Sequence, residues 1–250
     1  MNAAVLIALI ALIGTALQAG LTVFGPPALQ ARGAERRRLE TYRDPLLTAA
    51  YELQARLHNI VCHRFVEDFV FDDEGVEKQD AAIQTTLYVF GQFLAWREII
   101  RRDVQFLRFA SGSETRSVQR MLRDITETFL TKDLGHQFMI WRVEQEGFGA
   151  AMIDDHADHP ACISYHTFLG RRGTMDYWLV PLERDLKTID ADGIVRLAAL
   201  QNQLLALVRQ LDTNGLRYPF PMENARLQPR TAGASASSTT RATGTRRSSR

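Results

Sequence analysis

"AAIQTTLYVFGQFLAWREIIRRDVQFLRF", residues 81–109, decides the fold class. Its bulky apolar residues fall on most faces of a helix and not along one stripe. A helix of that kind is buried all round. It therefore needs partner helices on several sides, and the sequence on either side supplies them.

Towards the N-terminus, Asp44-Pro45 reads as a helix start, a capping acid followed by proline at the first helical position. Leu46, Ala50, Leu53, Leu57, Ile60, Val61 and Phe65 follow at helical spacing. The charged run "DDEGVEKQD", residues 72–80, separates this helix from the central one. Beyond the central helix, Ser111-Gly112-Ser113 marks a turn. Val118, Met121, Leu122, Ile125, Phe129 and Leu130 then mark an amphipathic helix. Phe138 to Ile153 reads as another, with Gly147 and Gly149 inside it. Tyr165 to Leu169 forms a short helical piece. "MDYWLVPLERDLKTI", residues 175–189, is helical in part, with Pro181 bending or restarting it. Ile194, Leu197, Gln201, Leu204, Val208 and Leu211 alternate three and four apart, a seam that packs on another helix, and Asn214-Gly215 ends it. No strand alternation of useful length and no internal repeat is present. The expected fold is all-α, a soluble bundle of about six helices over residues 44–215.

Two segments of different character flank this body. Residues 1–31 carry no charged side chain. The run Ala3 to Phe24 has one strongly polar residue, Gln18, and about twenty apolar residues span a bilayer as a helix. Gly25-Pro26-Pro27 stops it. Arg32, Arg36, Arg37 and Arg38 follow, and no basic residue precedes. Basic flanks stay on the cytoplasmic side, so the expected topology has the N-terminus outside and the bulk of the chain inside. A cleaved signal peptide would want a basic start, which is missing. Residues 1–25 are thus an expected transmembrane anchor to the cell membrane, its lipid contact running through residues 3–24. Residues 26–43 are a basic juxtamembrane linker. Ala16 and Gly20 form a small-xxx-small pair that would let two anchors approach as a homo-oligomer.

Residues 216–250 read as a disordered Ser/Thr/Arg-rich tail. Its residues 225–250 hold six Arg and no acid, against a formal charge of +1 for the whole chain. Residues 1–224 are therefore about −5. Such a tail suits contact with anionic lipid headgroups. The two cysteines, Cys62 and Cys162, exclude a disulfide framework and fit a reducing compartment.

Three groups of residues invite chemistry. "MIDDHADHPACISYH", residues 152–166, holds His156, His159, Cys162 and His166, ligand types that zinc accepts in fours. Pro160 interrupts the run, and four ligands from one short loop rarely close a tetrahedron. The better reading is a polar interhelical turn, with Cys162 entering the core and no cofactor. His58, Cys62 and His63 form a second group on one helix, Cys62 reading as a small core residue. The third group joins Gln92, Trp96, Arg97, Glu98, Arg101 and Arg102 of the central helix to Arg142, Glu144, Gln145 and Glu146 of "WRVEQEGFGAAM", residues 141–152. Buried charges persist only when paired. The expected pairs are Arg142 with Glu98, or Glu144 with Arg101, and the glycines at 147 and 149 would let a neighbour come close.

"YVFGQFLAWREIIRRDVQFL" together with "RVEQEGFG" and "CISYHTF" resembles a group of uncharacterised, membrane-anchored bacterial helical proteins. In them a W-x-E-I-x-R helix and an R-x-E-Q-x-x-x-G helix recur. The resemblance covers roughly residues 42–212. It implies an all-helical, single-pass protein, directs attention to Trp96, Glu98, Arg101, Arg142, Glu144 and Gln145, and implies no activity. Signatures for phosphate-cradling loops, dinucleotide binding, the serine nucleophile elbow and the HExxH zinc helix are absent. The expected function is a membrane-anchored cytosolic interaction or regulatory module. The alternative is an enzyme, metal-dependent or not, using the Glu/Arg/Gln cluster or the His/Cys loop.

Overall fold

Residues 83–100 of the central helix contain no exposed side chain in the computed structural model, as a helix wrapped by others requires. The structure describes residues 42–70, 75–106, 113–154, 156–157 and 159–218. The apolar segment 3–24, the linker to residue 41 and the tail from 219 lie outside them. Among the described residues, no helix is long and apolar enough to cross a membrane.

The body is mostly helical. In chain order the helices are α1 (42–62), α2 (Phe65–Phe69), α3 (Val76–Phe106), α4 (Ser113–Leu130), α5 (Arg142–Ala151), α6 (Tyr165–Arg171), α7 (Asp176–Lys187) and α8 (Ala191–Leu211). Single 3₁₀ turns, Lys132–Leu134 and Arg172–Met175, interrupt the connections. Two short strands, β1 (Ile153–Asp154) and β2 (Ala161–Cys162), pair antiparallel with Ile153 opposite Cys162.

α3 is the axis. Ile83, Leu87, Phe90, Phe93, Leu94 and Ile99 are each at most 2% exposed, and each such burial contributes about 1.5–3 kcal/mol relative to exposure. α4 touches it through Phe129, edge-on to Phe90, and through Thr126, beside Arg97. α5 runs antiparallel to α3 and lies closest. A Cβ on Gly149 would sit 2.5 Å from the Leu94 carbonyl oxygen, and one on Gly91 would sit 2.9 Å from both Met152 and Phe148. Gly149 needs to be glycine because the partner's backbone already fills the space, whereas at Gly91 the Met152 and Phe148 side chains would have to shift. The expected seam of α8 is real. Leu197, Gln201, Leu204, Val208 and Leu211 are buried, and α8 runs antiparallel to α1, joined by Gln201 to Gln54 and by Arg43 to the Leu211 carbonyl.

α1 is already helical at residue 42, so Pro45 lies inside it, and Asp44 pairs with Arg217. Pro181 does not restart a helix, since α7 runs on through it. The segment from Phe138 to Ile153 is not one helix. It enters helix only at Arg142. Phe138 has φ 55, left-handed for a residue with a side chain, and its N–H donates to the buried Asp185 carboxylate at 2.8 Å. Its ring is fully buried and stacks on Phe90. Burial of the ring and that charge-assisted bond outweigh the backbone cost.

One connection depends on a side chain that the seam concealed. Arg196 of α8 is fully buried. Its Nε donates to Gln137, its Nη1 to Thr128 and Phe129, and its Nη2 to Thr131 and Gly135, all backbone carbonyls. All five N–H groups are thus matched. Two of the acceptors are orphan carbonyls at the C-terminus of α4, where the helix dipole also favours a cation.

Gly149→Ala is expected to lower stability by about 2 kcal/mol or more through forced separation of α3 and α5. Gly170→Ala in α6, where a Cβ would meet nothing within 4 Å, is expected to be neutral or stabilising by up to about 1 kcal/mol. Thermal denaturation of the two variants checks the contrast.

Candidate functional site: the polar cluster between α3, α4 and α5

The helix α5 begins at Trp141, whose N–H donates to the Glu144 carboxylate at 2.9 Å. That bond satisfies one orphan donor of the first turn. It also fixes Glu144 at the helix end, where its other oxygen accepts from the Tyr177 hydroxyl at 3.2 Å. Glu144 therefore does not reach Arg101. Arg142 points the other way and pairs with Glu127 of α4. It does not reach Glu98. Both expected interhelical pairs are replaced because α5 is rotated so that Gln145, between them, faces α3.

Gln145 is fully buried and makes the interhelical link itself. Its amide nitrogen donates to the carbonyls of Ile140 and Thr126, at 2.8 and 3.2 Å. Its amide oxygen accepts from Arg97 Nη1, which also donates to the Thr126 hydroxyl at 2.8 Å. Arg97 is 6% exposed, and its Nε finds no hydrogen-bond partner among the described residues. Burial pulls its pKa down to about 10, against the opposing pull of the Glu98 and Glu146 carboxylates. It remains a cation at neutral pH.

Glu98 is buried at the next position. Arg101 donates to it twice, at 2.7 and 2.8 Å, and Arg102 once, at 2.8 Å. Burial alone would raise its pKa, but the arginine hydrogen bonds and charges outweigh that and hold it below the ordinary carboxylate value. The Glu98 bond in turn raises Arg101. Arg101 also stands 3.8 Å from Glu146 of α5. Trp96 is half-buried and packs on the core. Of the six residues singled out in the sequence, Glu98, Arg101 and Gln145 lie along the α3–α5 contact, Glu98 held by Arg101 and Arg102 and Gln145 by Arg97, while Arg142 turns to Glu127 of α4, Glu144 closes the start of α5 and Trp96 packs on the core.

The His/Cys stretch is arranged differently. It forms the small hairpin β1–β2, whose register is locked by Ile163 N–H donating to the Met152 carbonyl at 2.9 Å. His156, His159 and His166 are exposed. The structure does not bring them together with Cys162. Among the described residues, no group of three or more His, Cys, Asp or Glu side chains is gathered as a metal would need. Cys162 sits half-buried beside Tyr88, whose hydroxyl donates to the Ile163 carbonyl at 3.1 Å. Burial pushes both groups up to about 12. A thiol held that high is protonated at neutral pH and is a poor nucleophile or metal ligand. Cys62, expected in the core, is exposed at the end of α1. His58 and His63 lie edge-to-face beside it, their ring centroids 5.0 Å apart.

The sequence pattern does not mark the buried roles of Thr126, Asp185 and Arg196. Arg196 left only a signal of position, since it lies three residues after Gly193 and four before Leu200, on the buried face. Compared with known protein families, curated proteins and solved structures, the chain matches none.

Glu98→Gln is expected to lower stability at neutral pH by about 1–3 kcal/mol, since two arginines lose a charged acceptor. Because the folded carboxyl is held below its ordinary 4.5, the unfolded chain binds the proton more readily. The carboxylate's contribution is therefore present above about pH 4.5 and fades as the pH falls through the folded value. Urea melts from pH 7 to 3 are expected to show the gap between variant and wild type narrowing with acid.

Proposed function

We propose that this chain is a bilayer-tethered helical module that acts by interaction or regulation and not by catalysis. Residues 3–24 span the membrane with the N-terminus outside, and the helical body lies on the cytoplasmic side. The tether rests on the length of the apolar run and on the arginines that follow it.

The observation that carries the non-catalytic reading is how the polar groups between α3 and α5 are occupied. Catalytic acids and bases need a lone pair or proton directed at a substrate. Here the Glu98 carboxylate accepts three arginine bonds, and Gln145 uses its oxygen and its nitrogen on protein groups. Glu144 closes the start of its own helix. The cysteine nearest the histidine stretch is held as a thiol. These features support a cluster that fastens helices, and they leave function to the outer surface.

Crosslinking of the full chain in its native membranes, followed by affinity capture and mass spectrometry, tests this reading. The expected result is one defined protein partner recovered repeatedly. Recovery of abundant background proteins alone would count against it.

A further inference from the structure

The core side of α4 is formed by Leu122, Ile125 and Phe129, each at most 7% exposed. Arg116, Arg120 and Arg123 stand on the opposite side, and all three are exposed. Their spacing of four and three puts them in one row on a single helix face. Among the described residues, no side chain bonds or pairs with any of the three. Glu127, which continues the row one turn on, is engaged by Arg142 of α5. Asp124 projects to one side, about 100° round the helix from Arg123. Like charges three and four apart on a helix repel. Arg116 adds to this, because it stands in the first turn of α4, where the helix dipole favours anions. Neither core packing nor an ion pair among the described residues offsets the repulsion.

The row begins at a defined end of the bundle. Arg196, near the start of α8, holds carbonyls at the end of α4, and α4 packs along α8. The start of α4 therefore lies toward the end of α8. There the Leu211 carbonyl accepts from Arg43 of α1. The Asp212 carboxylate accepts from the N–H groups of Leu216, Arg217 and Tyr218 and turns the chain back. Tyr218 then stacks on Tyr51, with ring centroids 3.7 Å apart. The linker thus enters and the tail leaves at the end where the arginine row begins. Glu67, Asp68, Glu77 and Asp80 stand at the other end, where α1, α2 and α3 meet, and Asp190 and Asp192 at the start of α8. A charge distribution of that polarity turns the row toward an anionic surface and those acids away from it.

We propose that Arg116, Arg120 and Arg123 rest on the anionic headgroups of the inner leaflet. The contact rests on the tether reading, because it is the tether that brings the bilayer to this end of the bundle. Arginine's planar fork suits phosphate oxygens, and basic residues beside the leaflet gain from its negative potential. The 17 residues from 25 to 41 reach at most about 60 Å fully extended, more than the roughly 27 Å length of α4, so the linker lets the whole row reach the surface. A nucleic acid fits less well, because the row is only about 10 Å long and a longer polyanion would run on over the acidic body. A second copy would set the row against its own counterpart.

The test uses the full chain reconstituted in phosphatidylcholine vesicles, with or without phosphatidylserine, and the arginine reagent phenylglyoxal, read by mass spectrometry. Arg64, exposed at the far end of α1, is the internal reference. Modification of Arg116, Arg120 and Arg123 relative to Arg64 is expected to fall about tenfold when phosphatidylserine is present, and to recover in about 0.5 M salt. Arg120→Gln with Arg123→Gln is expected to return Arg116 to the modification seen in neutral vesicles. A chain that floats with anionic vesicles while the three arginines stay as reactive as in neutral ones overturns the contact alone. So does equal protection in neutral vesicles, which a second copy would give, or protection by an added oligonucleotide and not by phosphatidylserine. A chain that does not float at all overturns the tether, and this contact with it.

Discussion

The close approach of α5 to α3 governs the rest of the structure. It is possible only because Gly149 has no side chain where the Leu94 carbonyl stands. Helices this near can bury polar groups between them only if each finds a partner at once. Arg97, Gln145 and Thr126 meet that condition, and Gln145 holds the carbonyls of Ile140 and Thr126 as well. The end of α4, the start of α5 and the middle of α3 are thereby joined at one point. A buried polar link of this kind selects one helix register more strongly than an apolar contact would.

Arg196 does similar work at the other face of α4. Its five bonds collect the carbonyls of a connection with little regular structure. The same connection carries Phe138 in a left-handed conformation, held by Asp185 of α7. The loop from Thr131 to Ile140 is therefore fixed from two sides, by α8 and by α7, and α5 starts from a rigid base. Buried arginine and aspartate here act as connectors between backbone segments.

Much of the helical body was legible in the sequence. The all-round apolar character of residues 83–100 and the three-and-four spacing of α8 report burial directly, and glycines at 147 and 149 announced a close neighbour. The polar contacts were far less legible. Choosing Glu127 over Glu98 as the partner of Arg142 depends on how α5 is rotated about its axis, and sequence spacing carries no such information. Glu98 found its arginines three and four residues away on its own helix, a short-range solution that outcompetes a distant one. Phe138 misled for a different reason. Its apolar neighbours Met139 and Ile140 extend the helical pattern, while the determinant that breaks it, Asp185, is 47 residues away.

A cluster whose task is to fasten helices should show strong energetic coupling between its members. A double-mutant cycle on Arg97 and Gln145, with the full chain unfolded in urea, measures this directly. Arg97→Met, Gln145→Met and the double variant would be compared with wild type. A coupling of about 1–3 kcal/mol is expected, the double variant losing less than the two single losses together. Additive losses would contradict the account.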